Sequence, residues 1–182
     1  AQASVVEGED VFGEDATMRF TILFLLLTGW VAARTPAEVV LDAFQYDLDH
    51  GMEKTLKDRS YCFTPGFLSV FQRALALKPG SAAFVDMDYF TCSQDGGHRV
   101  GTGETEIRGN EAVVYVKIWQ GPYRGAPAQK EPSKPSTKVL LTDLGQGFQI
   151  RDIVHLPNRG VKGFSVREDF NILLTGKWPK HE

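Results

Sequence analysis

The chain has 182 residues, of which 42% are hydrophobic, 11% aromatic and 24% charged, with a formal net charge of -3. This is enough apolar material for the core of one domain, and it excludes a wholly disordered chain. The charge is unevenly placed: the first 33 residues carry Glu7, Glu9, Asp10, Glu14 and Asp15 against Arg19, and the remainder holds 18 acids and 19 bases. That balance lacks the basic excess that a nucleic-acid footprint or a polybasic membrane anchor requires.

Residues 1–17 are acidic and contain glycine, and read as a disordered leader or an addition ahead of the natural start. Met18-Arg19 then offers a start with a short positive region. Phe20 to Leu27 is apolar apart from Thr21, and Val31-Ala32-Ala33 supplies the small residues that a signal peptidase requires. The uncharged run from Phe20 to Ala33 spans roughly 21 Å as a helix, short of a ~30 Å hydrocarbon core. The expectation is a signal peptide over 18–33, cleaved near Ala33, and a periplasmic or secreted domain over 34–182 with no stable membrane span in the mature form. No cysteine lies near the cleavage point, so a lipid-anchored form is not expected.

The mature chain opens with helical signals. Thr35 can cap, Pro36 suits the first turn and Glu38 complements the helix dipole. Val40, Leu41, Phe44 and Leu48 recur at helical spacing, with Asp42, Gln45 and Asp49 facing away, and Gly51 supplies a stop. Met52 to Arg59 reads as a short charged helix carrying Leu56. Thr64-Pro65 starts another helix with Phe67, Leu68, Phe71 and Leu75 on its buried face, ended by Lys78-Pro79-Gly80.

Beyond Gly80 the pattern changes to strands. Phe84 to Cys92 is aromatic and partly alternating, and Arg99 to Ile107 alternates with Thr and Glu. Gly96-Gly97 and Gly109-Asn110 read as turns. Gly101-Thr102-Gly103 has no following helix, so it reads as a turn or bulge rather than a phosphate loop. Ala112 to Trp119 (AVVYVKIW) is the strongest strand signal. The Pro-, Gly- and Lys-rich stretch from Gly121 to Ser136 reads as a loop. Lys138 to Leu144 and Phe148 to Val154 form a hairpin about Gly145-Gln146-Gly147. A final short helix is expected around Arg167 to Leu174. Helices followed by consecutive antiparallel strands predict an α+β fold with N-terminal helices packed on a curved antiparallel sheet.

Three stretches carry a family resemblance: the helix Pro36 to Asp49, the segment Val85-Asp86-Met87-Asp88-Tyr89-Phe90 leading to Gln94-Asp95, and the strand Phe148 to Ile153. With them the chain resembles an uncharacterised bacterial exported family, the domain of unknown function 3828. That family lies within the nuclear-transport-factor-2-like, or cystatin-like, superfamily. The resemblance implies a cone-shaped fold and an exported compartment but no reaction. The chain departs from the lipoprotein members in lacking a lipid-attachment cysteine.

Few residues point to chemistry. Phe148, Ile150, Asp152 and Val154 share a face in a regular strand, which would desolvate the Asp152 carboxyl and suit it to proton transfer. Ketosteroid-isomerase-like members of the superfamily pair an acid with a tyrosine in the cone, so the resemblance makes Asp152 with Tyr115 or Tyr89 a catalytic candidate, and His155, just after the strand, offers an Asp–His pair instead. The competing reading is a structural acid near the strand end, or one turned outward by a bulge. Asp86, Asp88 and Asp95 gather near Tyr89; their spacing is not that of a calcium loop, and such acids also cap turns. Together with Trp119 and Tyr123 they form the candidate binding set. No metal site and no cofactor is expected, since His50, His98, His155 and His181 are scattered. Cys62 and Cys92 invite pairing in an oxidising compartment, where a loop of about 30 residues would contribute on the order of 3.5 kcal/mol.

Three functions compete. The first is a non-catalytic exported binding domain for a small ligand, a cell-wall component or an envelope protein. The second is an immunity or inhibitor protein that blocks an envelope toxin or enzyme. The third is a small pocket isomerase, dehydratase or hydrolase built on Asp152. A homodimer is compatible with each, and nucleic acid is not an expected partner.

Overall fold

The structure is a computed structural model in which residues 33–77, 87–93, 97–120, 132, 134–158 and 162–177 are described. The expected leader, signal peptide and cleavage point lie outside them, apart from Ala33. So do Asp86, Asp95, Tyr123, His181 and most of the loop from Gly121. Residues 33–182 form one compact unit.

The chain is α+β. Helix α1 (Pro36–His50) starts as its first residues dictate: Thr35 and Glu38 form a reciprocal capping box with Pro36 in the first turn. Gly51, at φ 82°, breaks it, a backbone angle that a residue with a Cβ adopts only with strain. Helix α2 (Met52–Asp58) and a 3-10 turn (Ser60–Cys62) follow. Helix α3 (Pro65–Leu75) is capped by the Thr64 side chain. Helix α4 (Val166–Thr175) comes at the C-terminal end of the described chain.

Between α3 and α4 lies a five-stranded antiparallel sheet in simple sequential order: β1 (Gly97–Arg108), β2 (Glu111–Gln120), β3 (Thr137–Asp143), β4 (Phe148–His155) and β5 (Phe164–Ser165). The Asp143 carboxylate holds the β3–β4 turn by accepting from the backbone N–H of Gly145 at 2.7 Å and of Gly147 at 3.1 Å. The bulge expected about Gly101 to Gly103 is present, as a register shift between Thr102 and Thr105. Gly101 lies under the Trp119 ring, where a Cβ would approach Cζ3 to 3.2 Å.

One face of the sheet, carrying Val114, Val116, Val139, Leu141, Ile150 and Ile153, is fully buried with helix residues in a single core. That core is aromatic: Phe71 lies 4.7 Å from Phe170 and 5.7 Å from Phe90 between ring centroids, and Phe44 meets Phe90 edge-on at 5.1 Å. Each such ring, truncated to alanine, costs about 3–5 kcal/mol. Among the described residues no helix is long and apolar enough to cross a membrane.

Three expectations require correction. The described part of the Phe84 to Cys92 segment is a turn closed by a bridge between Asp88 and Ser93, not a strand, because Asp88 captures the backbone donors that a neighbouring strand would use. The strand alternation of β4 does not run through to its end. And Cys62 and Cys92 are both free, so there is no disulfide. Cys62 is buried with its Sγ against Asp42 of α1, whereas Cys92 is exposed in the turn at φ 54°.

Candidate functional site

Asp152 owes its position to a bulge. Leu140 pairs with Asp152 but Leu141 pairs with Ile150, so Arg151 is an extra residue in β4. One inserted residue reverses the side-chain parity. Ile150, Ile153 and His155 therefore face the core, and Asp152 turns away from the apolar face on which regular alternation would put it. There it joins β4 to α4. It accepts from Ser165 Oγ at 2.6 Å, from the Ile153 amide at 2.8 Å and from the Arg167 amide at 3.1 Å. Ser165 in turn accepts from the Glu168 amide at 3.1 Å and caps the helix. These bonds make Asp152 a structural acid at a helix start.

Tyr115 is not brought to it. The Tyr115 hydroxyl donates to Glu106 of β1 at 3.2 Å, and the negative charge of Glu106 raises the phenol's pKa. Trp119, a binding candidate, is 7% exposed. The Arg99 guanidinium sits 4.7 Å above its ring, in cation–π geometry.

The residues that do converge are Asp47, Asp88, Tyr89, Thr137 and His155. Asp88 begins its turn by accepting from the Phe90 amide at 2.8 Å, the Thr91 amide at 3.4 Å and Thr91 Oγ1 at 2.6 Å. This is the turn-capping role its residue type suggests. Tyr89 ties the turn to two other elements: its hydroxyl donates to Asp169 of α4 at 2.8 Å, and its carbonyl oxygen accepts from His155 Nε2 at 2.9 Å. A carbonyl can only accept, so Nε2 carries the hydrogen, and Nδ1 accepts from Thr137 Oγ1 at 3.1 Å. Burial lowers the pKa of His155, against the opposing pull of the Tyr89 carbonyl, Asp88 and Asp152. The ring is held neutral.

Asp47 is the residue that sequence reasoning missed. It lies on α1 and is only 3% exposed. Burial, then the charge of Asp88 and a hydrogen bond to it, push its pKa up to about 9. Its Oδ1 has no partner. Burial and the nearby Asp88 carboxyl therefore favour the protonated form of Asp47. The signal was available: Asp47 follows Val40, Ala43 and Phe44 on the buried stripe, at the position where an apolar residue is expected.

A second polar cluster surrounds Asp42. Its carboxylate accepts from Arg59 Nε at 3.0 Å and Tyr61 Oη at 2.8 Å, and pairs with Arg34 at 3.0 Å. Burial, with a smaller push from Asp42, drives the Cys62 thiol up to about 11, which leaves it a poor nucleophile. A shallow cleft of about 260 Å³ between α2 and α3 is lined by Glu53, Leu56, Lys57, Gln72, Leu75 and Ala76. Among the described residues no group of three or more His, Cys, Asp or Glu side chains is placed to hold a metal ion.

The chain matches no protein-family model, no curated protein and no solved structure.

Proposed function

We propose that this protein is a non-catalytic, exported α+β binding domain that presents one face of its sheet to a partner. The observation that carries the reading is the division of labour between the two sheet faces. The aliphatic inner face is buried with aromatic side chains of the helices and of the 87–93 turn. The other carries Val113, Tyr115 and Leu140, all half-buried, which leaves apolar surface there for recognition. A sheet face of this kind suits a protein partner better than an enclosed small molecule. The three side chains with chemical potential are committed elsewhere: Asp152 caps α4, Tyr115 bonds Glu106 and His155 bonds Tyr89 and Thr137.

Export is supported by the order of the Met18 to Ala33 segment and by a compact unit that starts at Ala33, with the capping box of α1 two residues later. The cone of the nuclear-transport-factor-2-like superfamily, and within it the domain of unknown function 3828, is supported by helices preceding an antiparallel meander.

Native mass spectrometry of the protein isolated from its own cells tests both parts. A chain beginning at Arg34 with a bound partner, lost in a Tyr115→Ala/Leu140→Ser variant, is the expected outcome. An uncleaved chain sinks the export reading. A partner retained by the double variant sinks the sheet-face reading.

A further inference from the structure

The outer face of the sheet is divided by charge. Strand alternation and the register of β1, β2 and β3 put Arg99, Lys117 and Lys138 on one side of Tyr115, and Glu104, Glu106 and Glu111 on the other. On the cationic side the exposed Arg99 guanidinium sits over the Trp119 ring. On the acidic side Arg108 pairs with Glu106 at 3.2 Å and Arg151 with Glu111 at 2.8 Å. Asp152, turned outward beside Leu140, adds a further carboxylate there, so acids outnumber bases. Tyr115 lies on the dividing line: Lys138 is opposite it on β3, and its hydroxyl bonds Glu106. Val113 and Leu140, paired across β2 and β3, make the centre of the face apolar.

A partner for this face must offer negative charge on one side, positive charge on the other and apolar surface between them. The face itself has that complement. A two-fold axis lying in the contact plane along the dividing line lays each cationic half on the acidic half of the other copy, and brings Tyr115 toward its own counterpart. An axis at right angles to that line would set like charges together, so the charges fix the orientation as well as the partner. Pairing edge to edge through β1 is opposed by the bulge between Thr102 and Thr105 and by the charged side chains of that strand.

We propose that the outer sheet face binds a second copy of this chain, cationic half against acidic half, to form a two-fold dimer. The proposal rests on the sheet-face reading and supplies its partner. Lys117 and Lys138 of each copy meet the Glu104, Glu106 and Glu111 side of the other, so every ionic contact occurs twice. Val113, Tyr115 and Leu140 of both copies close the centre and remove their apolar surface from water. The contacts at the rim are screened by salt, and the dimer weakens as the ionic strength rises.

Sedimentation velocity on the protein isolated from its own cells tests this. Lys117→Glu/Lys138→Glu gives both halves of the face a negative balance, and Glu106→Lys/Glu111→Lys gives both a positive one. Each variant alone should dimerise at least about tenfold more weakly than the wild type. An equimolar mixture of the two should form a heterodimer with the affinity restored. A wild type that stays monomeric at every concentration overturns the second copy alone: the sheet-face reading then stands or falls with the Tyr115→Ala/Leu140→Ser variant. A dimer unmoved by both charge variants overturns the proposed face. If either variant does not fold, zero-length carbodiimide cross-linking of mixed 14N- and 15N-labelled wild type decides. Lys117 or Lys138 joined to Glu104, Glu106 or Glu111 of the other copy is the expected product, and an absence of such cross-links between copies overturns the arrangement.

Discussion

Asp152 and Asp47 are both acids within an apolar pattern, and the structure treats them in opposite ways. Asp152 is turned by a bulge toward donors: a serine hydroxyl and two backbone amides meet its oxygens. Asp47 is turned by its helix toward the core, where its neighbour is another carboxylate and Oδ1 has no partner. The first arrangement ties a strand to a helix. The second imposes a cost that grows with pH. A carboxyl's role follows from the donors in reach, more than from how apolar its flanking residues are.

Removing Asp88 tests the second region most severely. Asp88→Ala removes an acceptor of the Phe90 and Thr91 amides and of the Thr91 hydroxyl, and should cost about 3 kcal/mol in chemical denaturation. A loss below about 1 kcal/mol would mean that the turn is held by buried Phe90 and the contacts of Tyr89 rather than by Asp88.

The pH profile sharpens the contrast. Asp47 has a folded-state pKa raised above its unfolded value of about 3.9. Its stability contribution is thus fully present below the unfolded pKa and is lost as pH rises toward about 9. The wild type should lose about 1.4 kcal/mol per pH unit over the middle of that window. Asp47→Asn should remove the slope and be the more stable protein at pH 8. Parallel profiles for the two proteins would refute the buried-acid account. On the acid side His155 acts in the opposite sense. Its folded-state pKa is depressed, so the stability it contributes is present above its unfolded pKa and falls as the pH drops below about 6.5.

The first region should respond more mildly. Asp152→Ala removes the link from β4 to the start of α4 and should cost about 1–2 kcal/mol in chemical denaturation. A loss below about 0.5 kcal/mol would show that Ser165 starts α4 without it. The smallest effect is expected from Tyr115→Phe. It deletes a hydroxyl bonded to Glu106 on the far side of the sheet and should leave the unfolding midpoint unchanged within measurement error. A clear shift would show that the two sheet faces are coupled.

Much of the fold was legible because it is local. The Thr35-Pro36-Ala37-Glu38 cap, the Gly51 stop, the Thr64-Pro65 start, the alternation of β2 and the Asp143 turn each depend on residues within a few positions. Neighbours in sequence supply both the backbone preference and the hydrogen-bond partner. Tertiary structure alone decided the rest. Whether β4 bulges at Arg151 depends on its register with β3 and on the bond from the Thr64 amide to the Ile150 carbonyl oxygen, and that one residue moved Asp152 from the core face to a helix cap. Whether Cys62 pairs with Cys92 depends on where two separate elements point their sulfurs. And the state of Asp47 depends on Asp88, a residue remote in sequence, because the electrostatics of a buried acid are set by what packs against it.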